Sequence, residues 1–135
     1  MRVVYAVPVR HIEQLVDGTL GAFGIETQLF AVPLPAPMIS PLVVALAVPH
    51  AEAHDGVKHP LSIKVLGPDL SEVAPALETE IGIAPGENTP EGWECRVVTA
   101  LAARWEATEY GTYSVEISAS DGSISVPYIV SEPQA

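Results

Sequence analysis

The stretch from residue 113 to residue 130 constrains the fold more than any other part of this chain, because it has the pattern of a β-hairpin. Apolar and polar residues alternate on both sides of Asp121-Gly122, so each flanking strand has one apolar face. An Asp-Gly pair favours a two-residue turn because glycine tolerates a positive φ angle. A turn at these residues predicts that Ala119 faces Ile124, Ile117 faces Val126, Val115 faces Tyr128 and Tyr113 faces Val130.

Short apolar segments of this kind recur along the whole chain, separated by turn residues. Thirteen prolines and ten glycines are spread over the 135 residues, and such punctuation favours many short strands over a helical bundle. Besides the hairpin, the predicted strands lie at 3–9, 20–32, 42–48, 61–65, 77–83 and 94–105. Together they predict an all-β protein, a single immunoglobulin-like two-sheet β-sandwich of about seven antiparallel strands, formed by one domain over residues 1–135.

Residues 94–105 are compatible with two kinds of secondary structure. Val97, Leu101 and Trp105 are spaced as on one face of a helix, and the alanines among them favour helix. A sandwich nevertheless needs a strand that leads into Gly111-Thr112-Tyr113. We therefore predict a strand at 94–105, with a helix as the alternative.

The positions of two tyrosines and several prolines predict further features of the fold: a corner hydrogen bond, an open strand edge and a connector between sheets. In immunoglobulin-like sandwiches a tyrosine near the start of a late strand hydrogen-bonds back across a corner. Tyr113 is the first candidate for this role and Tyr110 the second, and an ordinary core position is the alternative for both. Pro127 cannot donate a hydrogen bond, so its nitrogen should face an open edge or a bulge. The prolines at 33, 35, 37 and 41 predict a stiff, extended connector that crosses between sheets or follows an edge.

The charge and the cysteine content bound the function. The net charge is −11, from 17 acidic and six basic residues, so a nucleic-acid backbone and an anionic membrane surface are both disfavoured as partners. A single cysteine excludes an internal disulfide and fits a reducing cytosol. No segment approaches the roughly 20 apolar residues of a membrane helix. We therefore expect a cytoplasmic, soluble protein.

Three histidines in one loop are the candidate metal ligands. On a helix, His50 and His54 would place two imidazoles on one face, as in a zinc site, with His59 nearby. The prolines and the glycine around them argue against a helix, and closed zinc sites usually have four ligands. We therefore expect a solvated polar loop and neither a metal nor another cofactor.

Trp93 is the other candidate binding residue. It lies in a loop after Gly92, where an exposed indole could anchor a sugar or a protein; the alternative is that it caps the core. Cys95 has no histidine after it in the chain, so we expect a buried structural thiol and not a nucleophile. The glutamates between residues 72 and 94 predict a solvated acidic face, and no serine lies in a nucleophile elbow.

Four sequence features together carry a resemblance to a known family. They are the segment from Val16-Asp17-Gly18 to Gly24, the Gly67-Pro68-Asp69 turn, Gly111-Thr112-Tyr113 and Asp121-Gly122. The chain resembles a family of small, uncharacterised bacterial β-sandwich proteins, although an Asp-Gly or Asp-Pro turn would be more usual at residues 67–69. The resemblance implies an immunoglobulin- or fibronectin-like sandwich, with no assigned activity and no catalytic residues.

These features do not predict an enzyme active site. We expect a non-enzymatic protein-interaction or assembly module that binds another protein, most simply itself as a homodimer or a larger oligomer, because sheet edges must be paired or protected. The alternative is a small-ligand or carbohydrate-binding module that uses Trp93. A metal-dependent enzyme that uses His50, His54 and His59 is the third and least favoured class.

Overall fold

The computed structural model describes residues 1–26, 28–54 and 56–134, and it confirms an all-β fold. The strands are β1 (Arg2–Pro8), β2 (His11–Gln14), β3 (Leu20–Phe23), β4 (Leu29–Ala31), β5 (Ala36–Pro49), β6 (Lys58–Leu66), β7 (Leu77–Gly82), β8 (Glu94–Ala107), β9 (Gly111–Ala119) and β10 (Gly122–Ser131). A single 3-10 turn, His50–Glu52, is the only helical element among the described residues. The strand predicted at 94–105 is therefore confirmed by β8.

The strands form three sheets. A three-stranded antiparallel sheet has the order β1-β5-β8, and a five-stranded sheet has the order β4-β10-β9-β6-β7. In the latter, β4 is parallel to β10, and the other pairs are antiparallel. The third sheet is the small hairpin β2-β3. The segment predicted as one strand at 20–32 is thus divided into β3 and β4, and the described residues hold ten strands where about seven were expected.

The core lies between the two larger sheets. Alternate residues of β5, namely Leu42, Val44, Leu46 and Val48, are completely buried. On the five-stranded sheet the same alternation buries Tyr113, Val115 and Ile117 in β9, and Val126, Tyr128 and Val130 in β10. Burial of each large apolar side chain contributes roughly 1.5–3 kcal/mol, so the period-two pattern determines which face of each sheet turns inward.

The central hairpin has the predicted faces but a different register. Ala119 pairs with Gly122, Ile117 with Ile124, Val115 with Val126 and Tyr113 with Tyr128. The turn residues are therefore Ser120 and Asp121, and Gly122 begins β10 with a φ of +131°. The amide of Asp121 donates to the carbonyl of Met1 over 3.1 Å, which ties the turn to the chain start. A shift of two residues keeps each side chain on its face, so the pattern alone could not detect it.

β6 does not form a hairpin with β5, the strand that precedes it in the chain. Both edges of β5 are occupied, by β1 on one side and by β8 on the other. The chain therefore crosses to the opposite sheet, where β6 pairs with β7 and β9. The reverse crossing, from β4 to β5, contains Pro33 and Pro35 as predicted, but Pro37 and Pro41 lie inside β5 and not in the connector.

Prolines inside the strands lie where the strand is paired on one side only. β5 pairs with β8 from Ala36 onward but with β1 only from Leu42, so Pro37 faces an open side, and Pro41 lies at the boundary, where its carbonyl accepts from the Val9 amide over 3.0 Å. Pro127 precedes the three residues of β10 that pair with β4. The amide of Ile129, two residues further on, donates outward to the carbonyl of Gln28 over 2.7 Å. Because residues two apart point the same way, the nitrogen of Pro127 faces the open edge, as predicted.

Tyr113 forms the predicted corner. Its hydroxyl donates to the carbonyl of Glu109 over 2.8 Å and accepts from the amide of the same residue over 3.2 Å. The ring packs against Trp105, with 4.5 Å between the ring centroids. Tyr110, the second candidate, instead donates to the carbonyl of Val32 from a more exposed position.

Candidate functional site

Trp93 and His50 line one cleft at the end of the three-stranded sheet. Pro49 and Glu94 form the last pair of the β5–β8 ladder, so the residues immediately beyond that pair are neighbours. The cleft has a volume of about 440 Å³ and is lined by Pro49, His50, Ala51, Glu91, Gly92, Trp93 and Glu94. The Trp93 side chain is 68% exposed, so it does not cap the core and its indole is available to a ligand.

Glu94, which lines this cleft, is the centre of an ion cluster. The Arg2 guanidinium donates to both carboxylate oxygens of Glu94, over 2.9 and 2.6 Å, and Arg96 lies 3.8 Å from the same carboxylate. The hydrogen bond from Arg2 is the main reason that the pKa of Glu94 is lowered. Glu94 is therefore held in its ionised form beside Trp93.

The structure separates the three histidines. His50 lies in the 3-10 turn, and His54 lines a different cleft of about 150 Å³ with Gly56 and Lys58. His59 is in β6, is 9% exposed, and its Nε2 atom has no hydrogen-bond partner among the described residues. No group of three or more metal-ligating side chains occurs in 1–26, 28–54 and 56–134; Asp55 of the same loop lies outside the described residues.

Cys95 and the glutamates of β7, the remaining candidates for chemistry, lie where a structural role is expected. Cys95 is 3% exposed and packs in the core between the sheets, as predicted. Glu78 and Glu80 project outward from β7, and Glu78 accepts a hydrogen bond from Ser62 over 2.9 Å. The acidic outer face predicted for this strand is therefore present.

β8 has the longest unpaired strand edge among the described residues. β8 is 14 residues long and pairs with β5 along its whole length, but it has no strand on its other side. No backbone hydrogen bond joins that outer edge to another segment within the described ranges. An edge of this length presents a row of free N–H and C=O groups that can pair with another chain.

The outer face of the three-stranded sheet is apolar in its middle, unlike that of the larger sheet, and its charged residues lie towards the ends, namely Arg2, Glu94, Arg96, Arg104 and Glu106. Tyr5 of β1, Ile39 of β5 and Val98 of β8 are 42–49% exposed, and they share this face with Val7, Pro41, Val43, Ala100 and Ala102. By contrast, the outward positions of β9 and β10 are mainly serine, threonine and glutamate. A sheet face with this apolar composition is typical of an interaction surface.

Sequence reasoning did not identify this surface. Residues 97–103 are apolar on both faces, with a single threonine among valines, alanines and leucine, and such a run usually indicates a strand covered on both sides. The run could have signalled a surface in need of a partner if β8 had been recognised as an edge strand. That recognition requires the strand order, which is not encoded in local pattern.

Comparisons with known proteins add no further constraint. No protein-family model matches the chain, and neither the curated proteins nor the solved structures contain a match to it. Among the described residues, no helix has the length and the apolar character that crossing a membrane requires.

Proposed function

We propose that this protein is a non-enzymatic interaction module that associates with a second copy of itself through the β1-β5-β8 sheet. The observation that carries the proposal is the free edge of β8 beside the apolar outer face. The chemistry fits a protein partner better than a reaction, since the exposed groups are backbone amides, carbonyls and small apolar side chains.

Protection of the other sheet edges supports this proposal. The edge strand β1 has a register irregularity between Val3 and Tyr5 and ends at Pro8, β4 has three residues, and β7 has Glu78 and Glu80 facing outward. These are the devices by which proteins block unwanted strand pairing. β8 has no proline, no lysine and no glycine along its 14 residues, and its outward charges lie only near its two ends, so the middle of this edge is left ready to pair.

A lysine in the middle of the proposed interface tests the function. Val98 is 48% exposed on β8, and Ile129 is 47% exposed on the outer face of β10 in the other sheet. We expect Val98→Lys to weaken self-association at least tenfold, because it places a charge in an apolar contact, and Ile129→Lys to leave it unchanged. Light scattering over a concentration range measures both. A wild-type protein that stays monomeric at high concentration would contradict the proposal.

We also interpret the fold as an immunoglobulin-like two-sheet sandwich with additions. Without the β2-β3 hairpin and the three-residue β4, seven antiparallel strands remain, three in one sheet and four in the other. The corner formed by Tyr113 and Glu109 supports this interpretation, because such corners accompany late strands of these sandwiches. A cytoplasmic location and membership of the bacterial β-sandwich family named above remain proposals; the lone cysteine supports the former.

The cleft at Trp93 favours a second candidate function, which is small-ligand or carbohydrate binding. Trp93 and His50 line the same cleft, and an exposed indole next to hydrogen-bonding groups suits the apolar face of a sugar ring. Neutral monosaccharides and oligosaccharides should then quench or shift the fluorescence of Trp93 and raise the Tm. Loss of both effects in Trp93→Ala, with retention in Tyr110→Phe, would support the site; no response to any sugar would exclude it.

A further inference from the structure

We propose that two copies pair antiparallel along β8, with Thr99 of one copy directly opposite Thr99 of the other. The two three-stranded sheets then join into one six-stranded sheet. This inference rests on the proposed self-association and specifies its partner, strand and register.

The backbone determines which residues of β8 can bond a second copy. The carbonyl of Pro41 accepts from Val9, on the β1 side, over 3.0 Å, and a residue in an antiparallel strand points both polar groups to one side. Odd-numbered residues of β5 therefore face β1, and even-numbered ones bond β8. Since Val44 pairs with Thr99 and Leu46 with Val97, odd residues of β8 bond β5 and even residues face the open edge.

This parity restricts the possible registers. Even residues of one copy must pair with even residues of the other, so the two-fold axis passes through a residue such as Val97, Thr99, Ala100 or Leu101. Pairing about Ala100 would place Arg96 opposite Arg104 and Glu94 opposite Glu106, and like charges directly opposite are destabilising. That register is therefore unfavourable.

Pairing about Thr99 avoids these repulsions. Glu94 then lies opposite Arg104 of the second copy at both ends of the contact, and Val98 lies opposite Ala100. On the inner face Val97 meets Leu101 of the second copy, and both are half-buried in the single chain. Opposite charges, apolar pairs and threonine pairs at facing positions each stabilise antiparallel strand pairing.

The neighbouring register about Leu101 is less favourable. It brings Arg96 opposite Glu106, which is also an attractive pair, but it places the half-exposed Val98 opposite Arg104 of the second copy. The register about Thr99 instead gives Val98 an apolar partner. The register about Val97 has the same fault, because it places Val98 opposite Arg96 of the second copy. Among these four registers, charge and side-chain pattern therefore select Thr99 as the centre.

Three variants, each with one cysteine added to the native Cys95, distinguish these registers directly. Val97→Cys, Thr99→Cys and Leu101→Cys are matched, because all three positions are half-buried on the inner face of β8. In a two-fold dimer only the residue on the axis faces its own copy. Facing residues at that non-hydrogen-bonded position have Cα atoms about 4.5 Å apart, within the range that a disulfide spans. The native Cys95 is buried, so wild-type protein is the background control.

We expect mild oxidation to convert Thr99→Cys largely into a covalent dimer, seen on a non-reducing gel, and to leave the other two variants and wild type uncross-linked. Cross-linking of Val97→Cys or Leu101→Cys instead would overturn the register but retain edge pairing. A dimer by light scattering without any cross-link would overturn the register about Thr99 and leave the proposed self-association standing. A monomer at all concentrations would overturn both.

Discussion

Two buried tyrosines illustrate how the surroundings of a single hydroxyl determine its contribution to the free energy of unfolding. Tyr113 and Tyr128 are both 1% exposed and pair with each other across β9 and β10. The Tyr113 hydroxyl has both of its hydrogen bonds to Glu109. The Tyr128 hydroxyl has no hydrogen-bond partner among the described residues, although Ser40, which accepts from the Trp105 indole, is near.

We therefore expect opposite results from the same chemical change at the two positions. Tyr113→Phe should lower the free energy of unfolding by about 1–2 kcal/mol, because it removes a satisfied hydroxyl and leaves Glu109 without its partner. Tyr128→Phe should change it by less than about 0.5 kcal/mol, since removing an unbonded buried hydroxyl has little cost. Urea denaturation of both variants measures the difference, and a larger loss for Tyr128→Phe would contradict it.

Burial also determines how Tyr128 responds to alkaline pH. It raises the pKa of Tyr128 to about 12, and the nearby Ser40 hydroxyl opposes this shift only in part. Because the folded-state pKa is above the unfolded one, the stabilising effect is complete below pH 10 and is lost as the pH rises towards 12. Part of the alkaline loss of stability should therefore be absent in Tyr128→Phe.

The ion pair between Arg2 and Glu94 should lose its stabilising effect at acid pH. The Arg2 hydrogen bond lowers the pKa of Glu94, so its stabilising effect is present above the unfolded pKa and is lost as the pH falls through the lowered value. In Arg2→Ala the pKa of Glu94 should rise towards its ordinary value, as followed by NMR titration. The difference in stability between wild type and Arg2→Ala should disappear at low pH. A difference that stays constant with pH would show that the lost contact is not ionic.

At the scale of elements, the close contact between β9 and the turn at residues 67–69 is sensitive to a single methyl group. Gly111 begins β9 with a φ of +145°, and a Cβ added there would lie 2.9 Å from Pro68 Cγ. We expect Gly111→Ala to destabilise the fold by about 1–3 kcal/mol, from backbone strain and steric overlap. Thermal unfolding measures the loss.

Gly92 is the matched control for that substitution. It has open space around its Cβ position and no left-handed φ, so Gly92→Ala should be close to neutral. Adding Pro68→Ala to Gly111→Ala should relieve the steric part alone and restore only some of the stability. If the double variant regains all of the lost stability, backbone strain at Gly111 contributes nothing. If it regains none, the steric overlap with Pro68 is unimportant.

The elements differ in how far the sequence predicts them. Local alternation identified the positions of β1, β6, β7 and both strands of the hairpin, and a run that is apolar on both faces identified the buried part of β5. The tyrosine corner followed from Tyr113 lying at a strand start. The register of the hairpin and the partners of β6 could not be predicted, because a two-residue slip keeps every face and strand order depends on which edges are already occupied. The meeting of His50 with Trp93 depends on the Pro49–Glu94 pair, which is a tertiary contact.

At the scale of the whole molecule, Cys95 reports opening of the core. Its thiol is packed between the two sheets, so a thiol reagent should reach it mainly when the sheets separate. For a typical stability of 5–15 kcal/mol, we expect labelling at least about a thousandfold slower than in the denatured chain. Measuring the reaction rate with and without urea tests this; slowing of less than about tenfold would mean that β8 opens locally, without global unfolding.

The prolines of β5 have a consequence for amide hydrogen exchange. On the stretch from Ala36 to Pro41, the residues whose polar groups point away from β8 are Pro37, Ile39 and Pro41, and two of these have no amide hydrogen. The Ile39 amide is then the one exchangeable group on that side of this stretch, while the half of the strand between β1 and β8 is protected throughout. A single fast-exchanging amide inside a 14-residue strand would mark the place where a central strand becomes an edge.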